Sequence, residues 1–140
     1  MEALIAVVFF LLLAYVASFT LRVTRGVSHT IEPAANVVRV QVLNGCGIPR
    51  LAAKIADRLE KYSDADVEIV VVDSDNFETM TLDSTFIIAR DENKKSARLL
   101  ARKLGLDDGS IVFRKLEDNY RSISVTLVLG SDYERLRMNQ

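Results

Sequence analysis

The chain has 140 residues, with 18 basic against 19 acidic side chains, one cysteine and one histidine. The near-zero net charge lacks the basic excess of a nucleic-acid binder, so no nucleic-acid partner is expected. One cysteine cannot close an intrachain disulfide, and it cannot join one histidine in a four-ligand structural zinc site; neither a metal nor another cofactor is expected.

Residues 3–21 read ALIAVVFFLLLAYVASFTL, without a charge. As a helix this run would extend about 28 Å, close to the ~30 Å hydrocarbon core of a bilayer, with every backbone group bonded internally. A buried core helix would show a polar face, and none is visible. A cleaved signal peptide would start with positive charge and carry a shorter apolar stretch. Here Met-Glu precedes a longer one, although Val16-Ala17-Ser18 offers small residues for cleavage. The reading is therefore an uncleaved single-pass anchor over residues 1–22, in contact with membrane lipid, then a linker over 23–36 marked by Gly26, Ser28, Thr30 and Pro33. Arg22 and Arg25 follow the span; by the positive-inside rule they argue for a cytoplasmic domain, on a count of only two residues.

The folded part starts at residues 37–43, where Val38, Val40 and Val42 alternate with Arg39 and Gln41 at the period of a half-buried strand. Asn44-Gly45-Cys46-Gly47 is a turn, and Pro49 suits the first turn of a helix. From there Leu51, Ala52, Ile55, Ala56 and Leu59 fall on one helical stripe. Residues 67–72 (VEIVVV) form a strand, residues 73–83 a polar acidic loop, and residues 85–89 a third strand. Asp91 or Asn93 can cap the next helix, which turns Ala97, Leu100, Ala101 and Leu104 inward and stops at Gly105. Residues 111–116 and 122–129 are two more strands, and the polar tail over 134–140 should fray.

The order β-α-β-β-α-β-β predicts an α+β two-layer sandwich with both helices on one face of the sheet. The other face should be partly solvated. It should carry Arg39, Gln41, Glu68, Ser124 and Thr126, with Val70 and Val72 among them.

Four segments then resemble a known family. Val40-Gln41-Val42-Leu43-Asn44-Gly45-Cys46-Gly47-Ile48-Pro49, followed by Leu51-Ala52-Ala53, is similar to the opening V-x-V-x-N-G-[ST]-G-x-x-x-L-A of the LytR-type C-terminal domain. Asp75-Asn76-Phe77 with Thr85, the helix from Ala97 to Gly105, and Val125 to Tyr133 (VTLVLGSDY) resemble its central, second-helix and closing segments. The resemblance covers residues 37–133. It implies an accessory domain of LytR/CpsA/Psr envelope proteins, placed outside the cytoplasmic membrane and lacking the catalytic domain that attaches polymers to peptidoglycan. Cys46 stands where the family has Ser or Thr, and the loop over 73–83 is more acidic than the family pattern.

Each candidate site has a bland counterpart. Gly45-Cys46-Gly47 before a helix could cradle an anion, but position 50 is Arg where a dinucleotide fingerprint has its third glycine; a tight turn is the simpler reading. Cys46 lacks a neighbouring base for nucleophilic catalysis. Asp73, Asp75, Glu78 and Asp83 lack the ligand spacing of a calcium loop. Lys94, Lys95, Arg98, Arg102 and Lys103 make the second helix basic outside, either simply solvated or drawn to anionic lipid or polymer. The solvated sheet face is the preferred binding surface, through Arg39, Gln41, Val70 and Thr126. The expected function is non-catalytic: a membrane-tethered, extracytoplasmic module that binds or positions peptidoglycan, a wall polymer or an envelope protein. The alternatives are an enzyme using Cys46 and a cytoplasm-facing scaffold or regulator.

Overall fold

A computed structural model describes residues 36–139 and, before them, Val7, Val8, Leu12 and Tyr15. The expected anchor and linker otherwise lie outside the described residues. Those four N-terminal residues are helical and exposed. Among the described residues no helix is long and apolar enough to cross a membrane. The chain divides into two compact units, Met1–Glu32 and Pro33–Gln140; the second holds everything that follows.

Its elements are β1 (Asn36–Asn44), α1 (Leu51–Lys61), β2 (Val67–Asn76), β3 (Phe86–Ala89), α2 (Lys95–Leu104), β4 (Ile111–Phe113) and β5 (Val125–Leu129). They confirm the α+β class, with two helices and one five-stranded sheet of order β2-β1-β5-β3-β4. β1–α1–β2 and β3–α2–β4 are each a parallel strand pair joined through a helix, the connection that parallel strands require. β5 joins these two strand–helix–strand pairs, parallel to β1 and antiparallel to β3.

Packing follows the periodicities. Val38, Val40 and Val42 are fully buried on the helix side of β1, with Val67 and Ile69 beside them on β2. Against them lie Leu51, Ile55 and Leu59 of α1 and Ala97, Leu100 and Leu104 of α2. Burying a leucine or isoleucine of this kind stabilises by roughly 1.5–3 kcal/mol. α2 ends as expected at Gly105, whose φ of 75° is left-handed, and the Leu106 N–H returns to the Ala101 carbonyl at 2.8 Å. At its start Asn93, not Asp91, supplies the oxygen, accepting the Lys95 N–H at 2.8 Å.

Five expectations need correction. β2 does not stop at Val72 but continues through Asn76, because Asp73 to Asn76 pair with Gln41 to Asn44 of β1. β4 ends at Phe113 instead of residue 116, and β5 begins at Val125 instead of 122; residues 114–124 form an irregular strap. The tail does not fray throughout: Leu136 is completely buried between two short 3-10 turns and belongs to the main core. Finally, the helix-free face is partly solvated as expected, but Thr126 on it is buried together with Val128 and Ile88.

Candidate functional site

The helix-free face is built from side chains that alternate with the core set. Strand pairing aligns them in rows. Gln41 of β1 sits beside Asp73 of β2 and Thr126 of β5, and Thr126 beside Ile88 of β3. The next row is Asp75, Leu43, Val128 and Phe86. Asp73 belongs to this face only because of a β-bulge: the β1–β2 register shifts between Val40 and Gln41, so that Val40 pairs with Val71 but Gln41 pairs with Asp73. In a strand, side chains alternate between faces, so one extra residue reverses the assignment of everything beyond it. Without it, Asp73 would point under the helices with Val71.

The first row is joined by a directed chain of hydrogen bonds. Arg90 Nε donates to Thr126 Oγ1 at 3.0 Å, and the Thr126 hydroxyl donates to Gln41 Oε1 at 3.0 Å. Gln41 Nε2 then donates to Asp73 Oδ2 at 3.1 Å, and Arg121 Nη1 pairs with Asp73 Oδ1 at 3.1 Å. Every donor in this chain faces an acceptor, which is what makes burying Thr126 tolerable. Burial, assisted by the nearby Arg114 charge, lowers the pKa of the Arg90 guanidinium from its usual value; arginine nevertheless stays charged.

Two segments rise over this floor. The strap over 114–124 is tied down by Arg39, whose Nε and Nη2 both donate to the Arg121 carbonyl at 3.1 and 2.9 Å. Arg90 Nη1 donates to the Arg114 carbonyl at 3.0 Å, and Asn119 exchanges two hydrogen bonds with the Ile123 backbone. On the other side lies the loop over 77–85. Phe77 stands edge-on to Phe86, ring centres 6.1 Å apart.

That loop is clamped by the two glycine turns. Gly45 N–H donates to the Leu129 carbonyl at 2.9 Å, Phe77 N–H to the Asn44 carbonyl at 2.8 Å, and Leu82 N–H to the Gly45 carbonyl at 2.8 Å. Gly130 N–H donates to Thr85 Oγ1 at 3.0 Å, and Thr85 N–H to Asp132 Oδ1. A Cβ at Gly130 would lie 2.4 Å from the Ser84 carbonyl carbon. The glycine-rich segments are thus architectural.

Between strap and loop runs a groove of about 600 Å³, floored by Gln41, Leu43 and Ile88 and walled by Phe77 and Leu116. A second hollow of about 330 Å³ shares Gln41, Asp75 and Leu116 with it and continues toward Asp73 and Arg121. Of the residues proposed from sequence, Gln41 lines the groove. Thr126 lies buried beneath it as a positioning residue, Arg39 holds the strap, and Val70 is half-buried on β2 outside the lining. Arg90, Arg114, Lys115, Leu116 and Phe77 were not singled out as site residues. They come from irregular segments or strand ends, where no periodicity flags them.

The other candidates stay apart. Cys46 is half-buried, with its thiol 3.5 Å from Asn44 Oδ1, an amide oxygen that cannot act as a base at neutral pH. The Asn44 side chain also donates to the Ile48 carbonyl and accepts from the Cys46 N–H, as in an Asx turn. Asp73 is engaged in the cross-sheet chain, and Asp75 Oδ1 accepts the neighbouring Asn76 N–H. Among the described residues no group of three or more His, Cys, Asp or Glu side chains converges as a metal site would. On α2, Lys103 is not solvated: it pairs with Asp64 and lies 5.3 Å over the Tyr62 ring. Asp91 Oδ1 is buried without a protein partner; it borders a hollow of about 400 Å³ with Ser96, Ser122 and Ser124, roomy enough for water.

Residues 37–133 match the family model described as LytR cell envelope-related transcriptional attenuator. Comparisons with curated proteins and with solved structures gave no match.

Proposed function

This chain belongs to the family described as LytR cell envelope-related transcriptional attenuator, and we propose that it acts as a membrane-tethered, extracytoplasmic binding module. The domain is a cell-envelope-related accessory domain. The finer reading is that it holds peptidoglycan, a wall polymer or an envelope protein at the membrane surface and performs no catalysis. The observation that carries the binding role is the groove across the helix-free face, where apolar floor and preorganised polar groups meet in the way small binding sites are built. The uncharged run over residues 3–21 supports the tether.

The thiol-enzyme alternative has less behind it, because Cys46 is bonded to an amide oxygen and not to a base. Cys46→Ser should therefore leave both stability and envelope binding unchanged; loss of binding with normal stability would restore the thiol to a functional role. The cytoplasmic alternative rests on Arg22 and Arg25.

Three measurements test the main reading. A periplasm- or exterior-active reporter fused after Gln140 should be active, and carbonate washing should leave the full chain in the membrane fraction. Purified peptidoglycan should co-sediment the full-length protein from detergent solution. A reporter active only in the cytoplasm would overturn the extracytoplasmic placement, and release by carbonate would overturn the tether.

A further inference from the structure

The groove is electrically polarised. Arg90, at the end of β3, and Arg114 and Lys115, just beyond β4, supply cations to one end. Asp75 on β2 and Glu78 in the adjoining loop supply anions to the other. Glu117, further along the strap, is the only carboxylate among the described residues that lines the groove outside that anionic end. Arg90 spends Nε and Nη1 on Thr126 and on the Arg114 carbonyl, which leaves Nη2 for a ligand. Arg114, Lys115 and Glu78 are exposed and make no ion pair among the described residues. Between the poles lie Gln41, Leu43, Ile88, Phe77 and Leu116, a stretch that carries no charge.

The separation follows from the sheet. β2 and β3 are three strand spacings apart in the order β2-β1-β5-β3, about 14 Å at the usual inter-strand distance. Asp75 lies in the Leu43 row, whereas Arg90 lies beyond the Gln41 row, next to Ser124. The backbones are thus roughly 20 Å apart on the diagonal, and inward-reaching side chains shorten the gap between charges to roughly 10–15 Å. An extended peptide rises about 3.4 Å per residue, so four residues span that gap.

From this we infer that the groove binds a short extended peptide of about four residues, its carboxylate on Arg90 and Arg114 and its amino group on Asp75 and Glu78. This rests on the binding role proposed above and names the ligand class for it. Charge complementarity at both ends fixes direction, and the uncharged middle accepts small apolar side chains. A neutral glycan would satisfy neither pole. A uniformly acidic polymer would satisfy one and be repelled by the other.

The test uses the full-length protein in detergent micelles and tetraalanine as probe, followed by calorimetry or by amide NMR shifts of groove residues. Tetraalanine with free ends should bind. N-acetylation, C-amidation or shortening to dialanine should each weaken it at least tenfold, and raising salt should do the same. Arg114→Glu should abolish binding, whereas Lys95→Glu, an exposed charge change on α2, should not. Equal binding of free and doubly capped peptides, or an unaffected Arg114→Glu variant, would overturn the inference. Peptidoglycan supplies a second arm. Co-sedimentation that disappears when an amidase strips the peptides from the glycan supports the peptide site. Co-sedimentation that persists on bare glycan overturns it and leaves the broader envelope-binding reading intact. Tetraalanine binding without any co-sedimentation keeps the peptide site and removes peptidoglycan as its source.

Discussion

The Thr126 hydroxyl is the hinge of the cross-sheet chain, and a double-mutant cycle measures what it holds together. Thr126→Val keeps the shape of this fully buried side chain but removes one donor and one acceptor. Gln41 Oε1 then loses its donor and Arg90 Nε its acceptor. Each orphaned group costs about 1–3 kcal/mol when water cannot reach it; both side chains are only half-buried, so the lower end applies, about 2 kcal/mol together. The added methyl returns up to ~0.8 kcal/mol. The net loss is about 1–2 kcal/mol, a fall in midpoint of roughly 5–12 °C for a domain of this size. Gln41→Ala removes the partner from the other side. The double variant should cost about 1 kcal/mol less than the sum of the singles, because the interaction can be lost only once. Unfolding of the full chain, followed by circular dichroism in detergent, supplies all four corners of the cycle. Additivity to within about 0.3 kcal/mol would mean that the row is a set of independent surface contacts and that the chain does not act as a unit.

Three further outcomes follow from the packing and charges. Leu136→Ala should destabilise by about 2–5 kcal/mol, as for other buried leucines, and truncation before Leu136 should do at least as much in the same unfolding assay; an unchanged midpoint would remove the tail from the core. Gly130→Ala should cost about 1–3 kcal/mol, since its Cβ would meet the Ser84 backbone, and amide exchange over 82–85 should accelerate. Asp64 has its pKa lowered from 3.8, first by the Lys103 hydrogen bond and then by the Val67 N–H. A depressed folded-state pKa contributes stability above the unfolded value and loses it as pH falls through the folded one. Acid titration of stability should therefore show a loss beginning near pH 3.8 and continuing below it, and Asp64→Asn should flatten that part of the curve.

Much of the layer structure was legible in the residues. The alternation of Val38, Val40 and Val42 and the stripes of Leu51 to Leu59 and Ala97 to Leu104 are periodic over enough residues to identify both face and element. Arg39, Gln41 and Thr126 were assigned to the helix-free face by the same alternation. Other features depend on contacts distant in sequence. Asp73 to Asn76 have poor strand propensity and read as a loop; they are held as strand by pairing with β1, and no local signal reports that. Leu136 is a lone leucine in a charged segment, without a period to give it a direction. The partnership of Arg90 with Thr126, and of Gln41 with Asp73, depends on β5 lying between β1 and β3. An order of elements along the chain does not specify an order of strands in the sheet. Residues 111–116 and 122–129 read as strands because they contain the β-formers Ile111, Val112, Phe113, Ile123 and Val125, but pairing stops at Phe113, and Ser122, with φ 52°, breaks the second run at its start.

The extra residue in β2 also makes the length of that strand matter more than its composition. A homologous chain lacking Val72 would pair Asp73 with Gln41 by plain alternation and keep Asp73 and Asp75 on the helix-free face, whereas one residue fewer between Asp73 and Asp75 would turn Asp75 beneath the helices, where an unpaired carboxylate is not tolerated. Loss or gain of two residues would preserve the phase and merely shorten or lengthen the strand. Gaps in β2 among related chains should accordingly come in even numbers except at the bulge, where one residue can be lost without changing the faces, a rule that comparison of sequences alone can check.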